Sequence, residues 1–240
     1  MTINKSDNGS VAQAVHSIFE NIQETCLQCG RKPSDVRLMA VTKTVEASRV
    51  NQAIAAGVTL LGENRAQELC AKYDEYNKDN VDIHFIGHLQ SNKVRQIIDK
   101  VTMVHSLDSI SLAKELQKQC QKHQKQMDCL IEVNIGNEQT KSGVLPEALP
   151  QFIEQLVGFN CINIRGIMSI PPVCDEIYKK ERYFANLYKL FIDIKEKKID
   201  NINMDFLSMG MSDDYMLAIK HGSNLVRIGS ALFGRRNYTH

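Results

Sequence analysis

Eight times between residues 38 and 228 the chain runs a short apolar segment into a polar turn, and a longer stretch of helical periodicity separates each segment from the next. The apolar segments fall at 38–42, 58–62, 83–87, 103–107, 129–134, 162–168, 204–208 and 224–228. The helical stretches fall at 46–56, 64–76, 91–100, 109–124, 146–157, 177–197 and 213–221. Strands that alternate with helices pair in parallel through right-handed crossovers, and near-continuous apolar strands belong to a sheet covered on both faces. Eight such units predict an α/β chain closed into a single (β/α)8 TIM barrel. A doubly wound open sheet would use the same alternation. That fold normally carries a Gly-rich turn after its first strand, and "VTKTVEAS" contains no glycine.

The length of 240 residues fits one such barrel and leaves no room for a second domain. Ahead of the first strand, "VAQAVHSIFENIQETCLQCG" spaces Val11, Val15, Ile18, Ile22 and Leu27 at helical intervals, which predicts an additional N-terminal helix closed near Gly30. Residues 1–9 are polar and are expected to be disordered, with residues 10–240 forming the barrel domain. The 29 basic and 28 acidic residues nearly cancel, so net charge favours neither nucleic acid nor an anionic membrane as partner. With no basic-then-apolar leader and no apolar run of about 18 residues, a cytoplasmic protein is expected. The seven scattered cysteines read as reduced thiols. Cys26 and Cys29 have half-site spacing but lack a second pair, so no metal site is predicted.

In a parallel barrel, functional residues gather where strands end at their carboxyl side. Lys43 leaves the first strand there, although alone it could equally be a lysine reaching solvent. Gly62, Glu63 and Asn64 follow the second strand, with Asn64 either at the rim or capping the next helix. The third strand supplies His84, His88, Gln90, Ser91 and Asn92. Glu132 and Asn134 give the end of the fifth strand a polar face, and Lys141 and Ser142 lie in its loop. Met168 and Ser169 end the sixth; Met168 suits either core packing or contact with a flat ring.

The strongest local signal is "FLSMGMSDDYMLAIKHG". Its Ser208, Gly210 and Ser212, with backbone N–H groups at a helix start, make a phosphate cradle, the alternative for Ser212 being an ordinary helix cap. Asp213 and Asp214 suit a first helical turn. The eighth strand adds Gly229 and Ser230 beside that turn, and barrels frequently bind phosphate with the loops after strands seven and eight. Arg227, between Val226 and Ile228, must be paired or face a ligand. A lysine, an arginine and a phosphate cradle on one rim suit an aldehyde cofactor bearing a phosphate. Pyridoxal 5'-phosphate (PLP) satisfies all three, with Lys43 forming the imine. A Schiff-base aldolase acting on a sugar phosphate would use the same toolkit, but the strand-one position of the lysine weighs against it.

The motifs "AVTK", "GENRAQE", "HFIGHLQSNK", "NEQTKSG", "RGIMSI", "LSMGMSDD" and "VRIGSALFG", spread from about residue 10 to residue 238, resemble the pyridoxal phosphate homeostasis protein family. That family is similar in fold to the barrel domain of alanine racemase, in the fold-type III group of PLP proteins. The resemblance implies Lys43 as the Schiff-base lysine and Arg227 facing the pyridine nitrogen. It places Ser208, Gly210, Ser212, Gly229 and Ser230 around the phosphate, with Asn64 and Met168 against the ring. It further implies a carrier or regulator of PLP with effects on amino and keto acid balance; PLP-dependent apoenzymes are the expected recipients, and a closed barrel without a dimerising second domain permits a monomer. Established turnover is not implied, because related racemases take their second base, a tyrosine, from a C-terminal domain. The alternative is an amino acid racemase or decarboxylase using Lys43 with His84 or His88.

Overall fold

Ser10 and Gln13 cap the first helix reciprocally: the Ser10 hydroxyl accepts the Gln13 N–H at 3.2 Å while the Gln13 side chain accepts the Ser10 N–H at 3.0 Å. Two donors that a helix start leaves orphaned are thereby satisfied. The structure, a computed structural model, describes residues 10–234, so the segment expected to be disordered (1–9) and the last six residues of the expected barrel domain lie outside the described residues. Helix α1 (Val11–Gln28) buries Val11, Val15, Ile18 and Ile22. Each such side chain contributes about 1.5–3 kcal/mol when fully buried. Cys29 is its C-cap and Gly30 follows at φ +67°.

After α1 the order is β1 (Arg37–Val41), α2 (Ala47–Ala55), β2 (Leu60–Glu63), α3 (Ala66–Lys72), β3 (Asp82–Phe85), α4 (Val94–Ile97), β4 (Met103–Leu107) and α5 (Ile110–Lys122). The second half continues β5 (Met127–Glu132), α6 (Leu149–Leu156), β6 (Ile162–Met168), α7 (Ile177–Glu196), β7 (Ile202–Ser208), α8 (Tyr215–Lys220), β8 (Leu225–Ile228) and α9 (Ser230–Phe233). All eight strands are parallel, pair in sequence order and close, β8 against β1, into the expected barrel. Helix α1 packs against α2, α8 and α9. Arg31 donates to the carbonyls of Ile219 (2.7 Å) and Ser223 (2.8 Å), which ties it to the end of α8 and braces the element that carries the strand-seven turn.

Two kinds of core fill the molecule. The larger occupies the shell between strands and helices and includes Leu38, Ala40, Leu61, Ile83 and Ile228. The alternate residues of the same strands face the lumen, where Met39, Val41, Leu60, Ile86 and Leu225 form one cluster and Met103, Leu130 and Met168 another, with Phe206 packed against both. Successive side chains of a strand point to opposite faces, so this division follows directly from the strand period of two. Ion pairs of Arg37 with Asp82 (2.9 Å) and of Arg165 with Asp128 and Asp205 (both 2.7 Å) link strands of the barrel.

The strands at 103–107 and 162–168 match their predicted bounds, whereas β5 and β7 begin two residues earlier than expected. Asp128, Asn203 and Asp205 break the apolar pattern there; Asp128 and Asp205 bond Arg165. The helix expected at 91–100 is a 3-10 turn, Ser91–Lys93, followed by the four-residue α4, and the one expected at 64–76 ends as α helix at Lys72. Helix α9 was not predicted, because four residues carry too little periodicity to register.

Candidate cofactor site at the carboxyl rim

Strand β1 delivers Lys43 to the rim beside β8. The register Met39 to Arg227 and Ala40 to Ile228 puts Val41 opposite Gly229, and Lys43, half-buried, follows two residues later. Thr44, next in the chain, takes φ +61°, an uncommon left-handed conformation for a β-branched residue.

Arg227 projects inward from β8 and is only 4% exposed. It donates to the Ser208 hydroxyl at 2.7 Å and to the Ser169 carbonyl at 2.9 Å. Burial pulls its pKa down to about 10, offset in part by Asp214 and Glu132, so it stays cationic near neutral pH. The Ser208 oxygen also lies 3.4 Å from Nδ1 of His105, whose Nε2 lies 2.9 Å from Nδ1 of His84. Ser208, Arg227 and the two rings thus form one buried hydrogen-bonded chain, whose directions beyond the Arg227 donation to Ser208 follow the tautomers of His105 and His84. Burial holds both rings neutral: His84 is lowered to about 3, with the Arg37 charge second, and His105 is held well below the usual range, with His84 and Arg227 adding to burial.

This pair has a consequence for acid stability. An unfolded histidine protonates as pH falls through about 6.5, whereas folded His84 does so only near 3. Its contribution to stability is therefore complete above 6.5 and is lost as pH falls towards 3. Glu132 acts in the opposite sense. Its folded value is raised to about 7, by burial first and Asp108 second, so its ionisation opposes folding increasingly as pH climbs from 4.5 to 7. The histidine contribution is isolated by comparison with His84→Gln: the loss in urea midpoint between pH 7.5 and pH 5 is expected to be larger in the wild-type chain than in the variant.

The strand-seven and strand-eight turns meet at Ser212. Its hydroxyl oxygen accepts the backbone N–H groups of Gly229 (3.3 Å) and Ala231 (3.2 Å), two amides converging on one oxygen as they would on an anion. Ser212 is accordingly not the cap of α8; Asp214 holds that position and accepts the Met211 N–H at 2.7 Å. Ser230 is the first residue of α9, beside this pair of donors. Gly210, at φ +92°, is needed for packing, since a Cβ would lie 2.5 Å from that of Ala218. Gly229 is different: its φ is −119° and a Cβ would come no closer than 3.5 Å to Val41, so neither strain nor crowding demands glycine there.

Asn64 does not cap α3, whose N-cap is Arg65; its Oδ1 is buried without a hydrogen-bond partner. Glu132 ends β5 in line with the lumen residue Leu130, opposite Met168, and its Oε2 is likewise buried and unpartnered. Met168 packs in the lumen with Met103 and Leu130. Ser208 lies deeper than Ser212, fully buried and engaged by Arg227. His84 is deep in the lumen, whereas His88 is mostly exposed and lies 3.6 Å from Asp108. His105 escaped the sequence reading, although the alternation of "MVHSL" inward from Met103 would have placed it in the lumen.

A parallel barrel with a lysine just past strand β1, a turn beside it whose amides converge on Ser212, and a buried arginine on strand β8 is the class these features define. The family described as alanine racemase, N-terminal domain, matches residues 15–237. The pyridoxal phosphate homeostasis protein of Aquifex aeolicus is 37% identical over 229 residues, covering 95% of this chain and all of that one. Among solved structures, an unknown protein from Bifidobacterium adolescentis is 31% identical with a TM-score of 0.87, covering 97% of this chain and 98% of that one. PipY of Synechococcus elongatus, determined with PLP bound, is 30% identical with a TM-score of 0.80, covering 93% of this chain and 100% of that one. The chain belongs to the pyridoxal phosphate homeostasis protein family, within the alanine racemase N-terminal domain fold. Among the described residues, no helix is long and apolar enough to cross a membrane.

Proposed function

We propose that this protein binds PLP as a Schiff base on Lys43 and serves PLP homeostasis as a cytoplasmic, monomeric carrier or regulator without turnover of its own. The adjacency of β1 and β8 carries the reading: Val41 lies opposite Gly229, which puts the lysine turn next to the amides that converge on Ser212. The PLP-bound structure of the relative PipY supports the cofactor's identity. When bound, PLP supplies an aldehyde that captures amines and a ring that withdraws electrons.

Forming the linkage requires the Lys43 ε-amine to add to the aldehyde carbon and expel its oxygen as water, with no change of oxidation state. Ser212, Ser230 and the Gly229 and Ala231 amides would hold the phosphate, with the room above Gly229 allowing close approach. Gly210 shapes the turn that presents Ser212. Arg227, fixed by Ser208 and Ser169, would meet the pyridine nitrogen as a permanent donor. A guanidinium does not readily give up its proton, so the ring stays a weak electron sink, and carbanion chemistry is disfavoured. Asn64 and Met168 would flank the ring, and the orphaned Oδ1 of Asn64 suits a polar edge of the cofactor.

A carrier and an enzyme differ in what the loaded protein does to its surroundings. The loaded protein is expected to restore activity to a PLP-dependent apoenzyme and, in deuterated water, to exchange the α-proton of L-alanine no faster than free PLP does. Exchange at enzyme-like rates would instead establish the racemase alternative, with Glu132 as the first candidate for a second base.

A further inference from the structure

The lysine turn is held by a set of ionised and hydrogen-bonding groups that the cofactor site itself does not use. Lys72, at the end of α3, points its ammonium back at the turn and donates to the carbonyls of Thr42 and Val45, both at 3.1 Å, and to Glu68 Oε1 at 2.8 Å. Those two carbonyls bracket Lys43. Glu68 Oε1 also accepts the N–H of Thr44, the residue at φ +61°. On the other side, the buried Glu63 accepts the Thr42 hydroxyl at 2.6 Å and the Tyr76 hydroxyl at 2.7 Å, and lies 3.7 Å from the Lys72 ammonium. Burial, then the Glu63 charge, pushes the Tyr76 phenol well above its ordinary range, so it remains a donor.

The chemistry of this cluster is unusual for a scaffold. A lysine whose side chain is 14% exposed and a fully buried glutamate cost more to desolvate than apolar residues of equal volume, and a hydrophobic replacement is often neutral or better for stability. What the charged set provides is direction. A lysine has three donors, and those of Lys72 reach two backbone carbonyls and one carboxylate, which pins the carbonyls on either side of Lys43. The third contact, through Glu68, stabilises the left-handed backbone at Thr44 that turns the chain immediately after Lys43. The same three contacts occupy the Lys72 nitrogen, which is therefore unsuited to compete for an aldehyde.

We propose that Lys72, Glu68, Glu63 and Tyr76 form a positioning clamp that fixes the Lys43 turn for imine formation, with Lys72 its central member. The proposal rests on the reading of Lys43 as the PLP anchor. Two probes separate the clamp from that reading and from general damage: PLP, which can form the imine, and pyridoxine 5'-phosphate, an alcohol that fills the same site and cannot. Lys72→Met is expected to bind pyridoxine 5'-phosphate as the wild-type protein does, yet to form the imine with PLP at least tenfold more slowly. Amide hydrogen exchange in a peptide spanning residues 42–46 should accelerate in the variant, cofactor-free protein included.

If the wild-type protein forms no imine on Lys43, the reading of the site fails, whatever the variant does. An imine-formation rate in Lys72→Met within twofold of wild type overturns the clamp, as does an equal loss of affinity for both probes, which marks ordinary structural damage. Should Lys72→Met not fold, Glu68→Gln tests the same contact more gently. It is expected to slow imine formation about threefold without changing pyridoxine 5'-phosphate affinity, and an unchanged rate there refutes the proposal equally.

Discussion

Replacing Lys43 by alanine is expected to abolish the visible absorption band of the PLP-loaded protein and to weaken PLP retention on the order of a hundredfold, about 2.7 kcal/mol. The effect is large because the substitution removes the covalent link. It is bounded because Arg227 and the Ser212 turn remain, and their contacts do not depend on Lys43. The variant should therefore still take up PLP weakly and reversibly, with the spectrum of the free aldehyde. Equilibrium dialysis combined with absorbance checks both halves. Little change to the fold is expected, since Lys43 is half-buried at a turn and the neighbouring contacts of Thr42, Thr44 and Val45 run through backbone atoms and the Thr42 hydroxyl.

Gly166→Ala is expected to destabilise the barrel by more than about 3 kcal/mol, a fall in Tm of roughly 10 °C. Strand β6 shifts register at this residue against both neighbours: Cys129 pairs with Ile164 but Leu130 with Gly166, and on the other side Ile164 pairs with Ile202 but Gly166 with Phe206. Gly166 takes φ +147°, and a Cβ there would lie 1.9 Å from the Phe206 carbonyl oxygen. Backbone occupies the space, so no side-chain rearrangement relieves the clash. The irregularity has a functional reach as well, because it sets the register by which Met168 comes level with Ser208 and with Glu132. Thermal unfolding by circular dichroism measures the loss, and a shift under about 3 °C would contradict the role given to this glycine.

The fold was legible because its signal is repeated. Any one of the eight apolar runs could have been a buried helix segment, but eight in regular alternation with amphipathic stretches admit few architectures. The rim residues were legible for a related reason: Lys43, Asn64, Met168, Ser208, Arg227 and Gly229 each follow from counting to the end of a strand. What stayed hidden depends on contacts between elements. That Ser212 accepts amides from the strand-eight turn instead of capping its own helix follows only once β7 and β8 are side by side. The partners of Ser208 also depend on the fold, since its hydroxyl is turned to Arg227 and His105 by the inward phase of β7. Strand alternation puts His105 in the lumen but does not reveal its partners Ser208 and His84, and nothing local separates Lys72 from a surface lysine. In sequence Lys72 is one residue within the helix expected at 64–76, and only the fold brings it to the carbonyls of Thr42 and Val45, 30 and 27 positions away.

If one amine among the chain's many lysines anchors the cofactor, borohydride reduction of the PLP-loaded wild-type protein reveals which. Reduction converts an imine to a stable secondary amine, and peptide mass mapping then reports which lysine carries the pyridoxyl group. One pyridoxyl group per chain, on Lys43, is the expected result. A pyridoxyl group found on Lys72 or Lys141 instead, or spread over surface lysines with none enriched at Lys43, would contradict it.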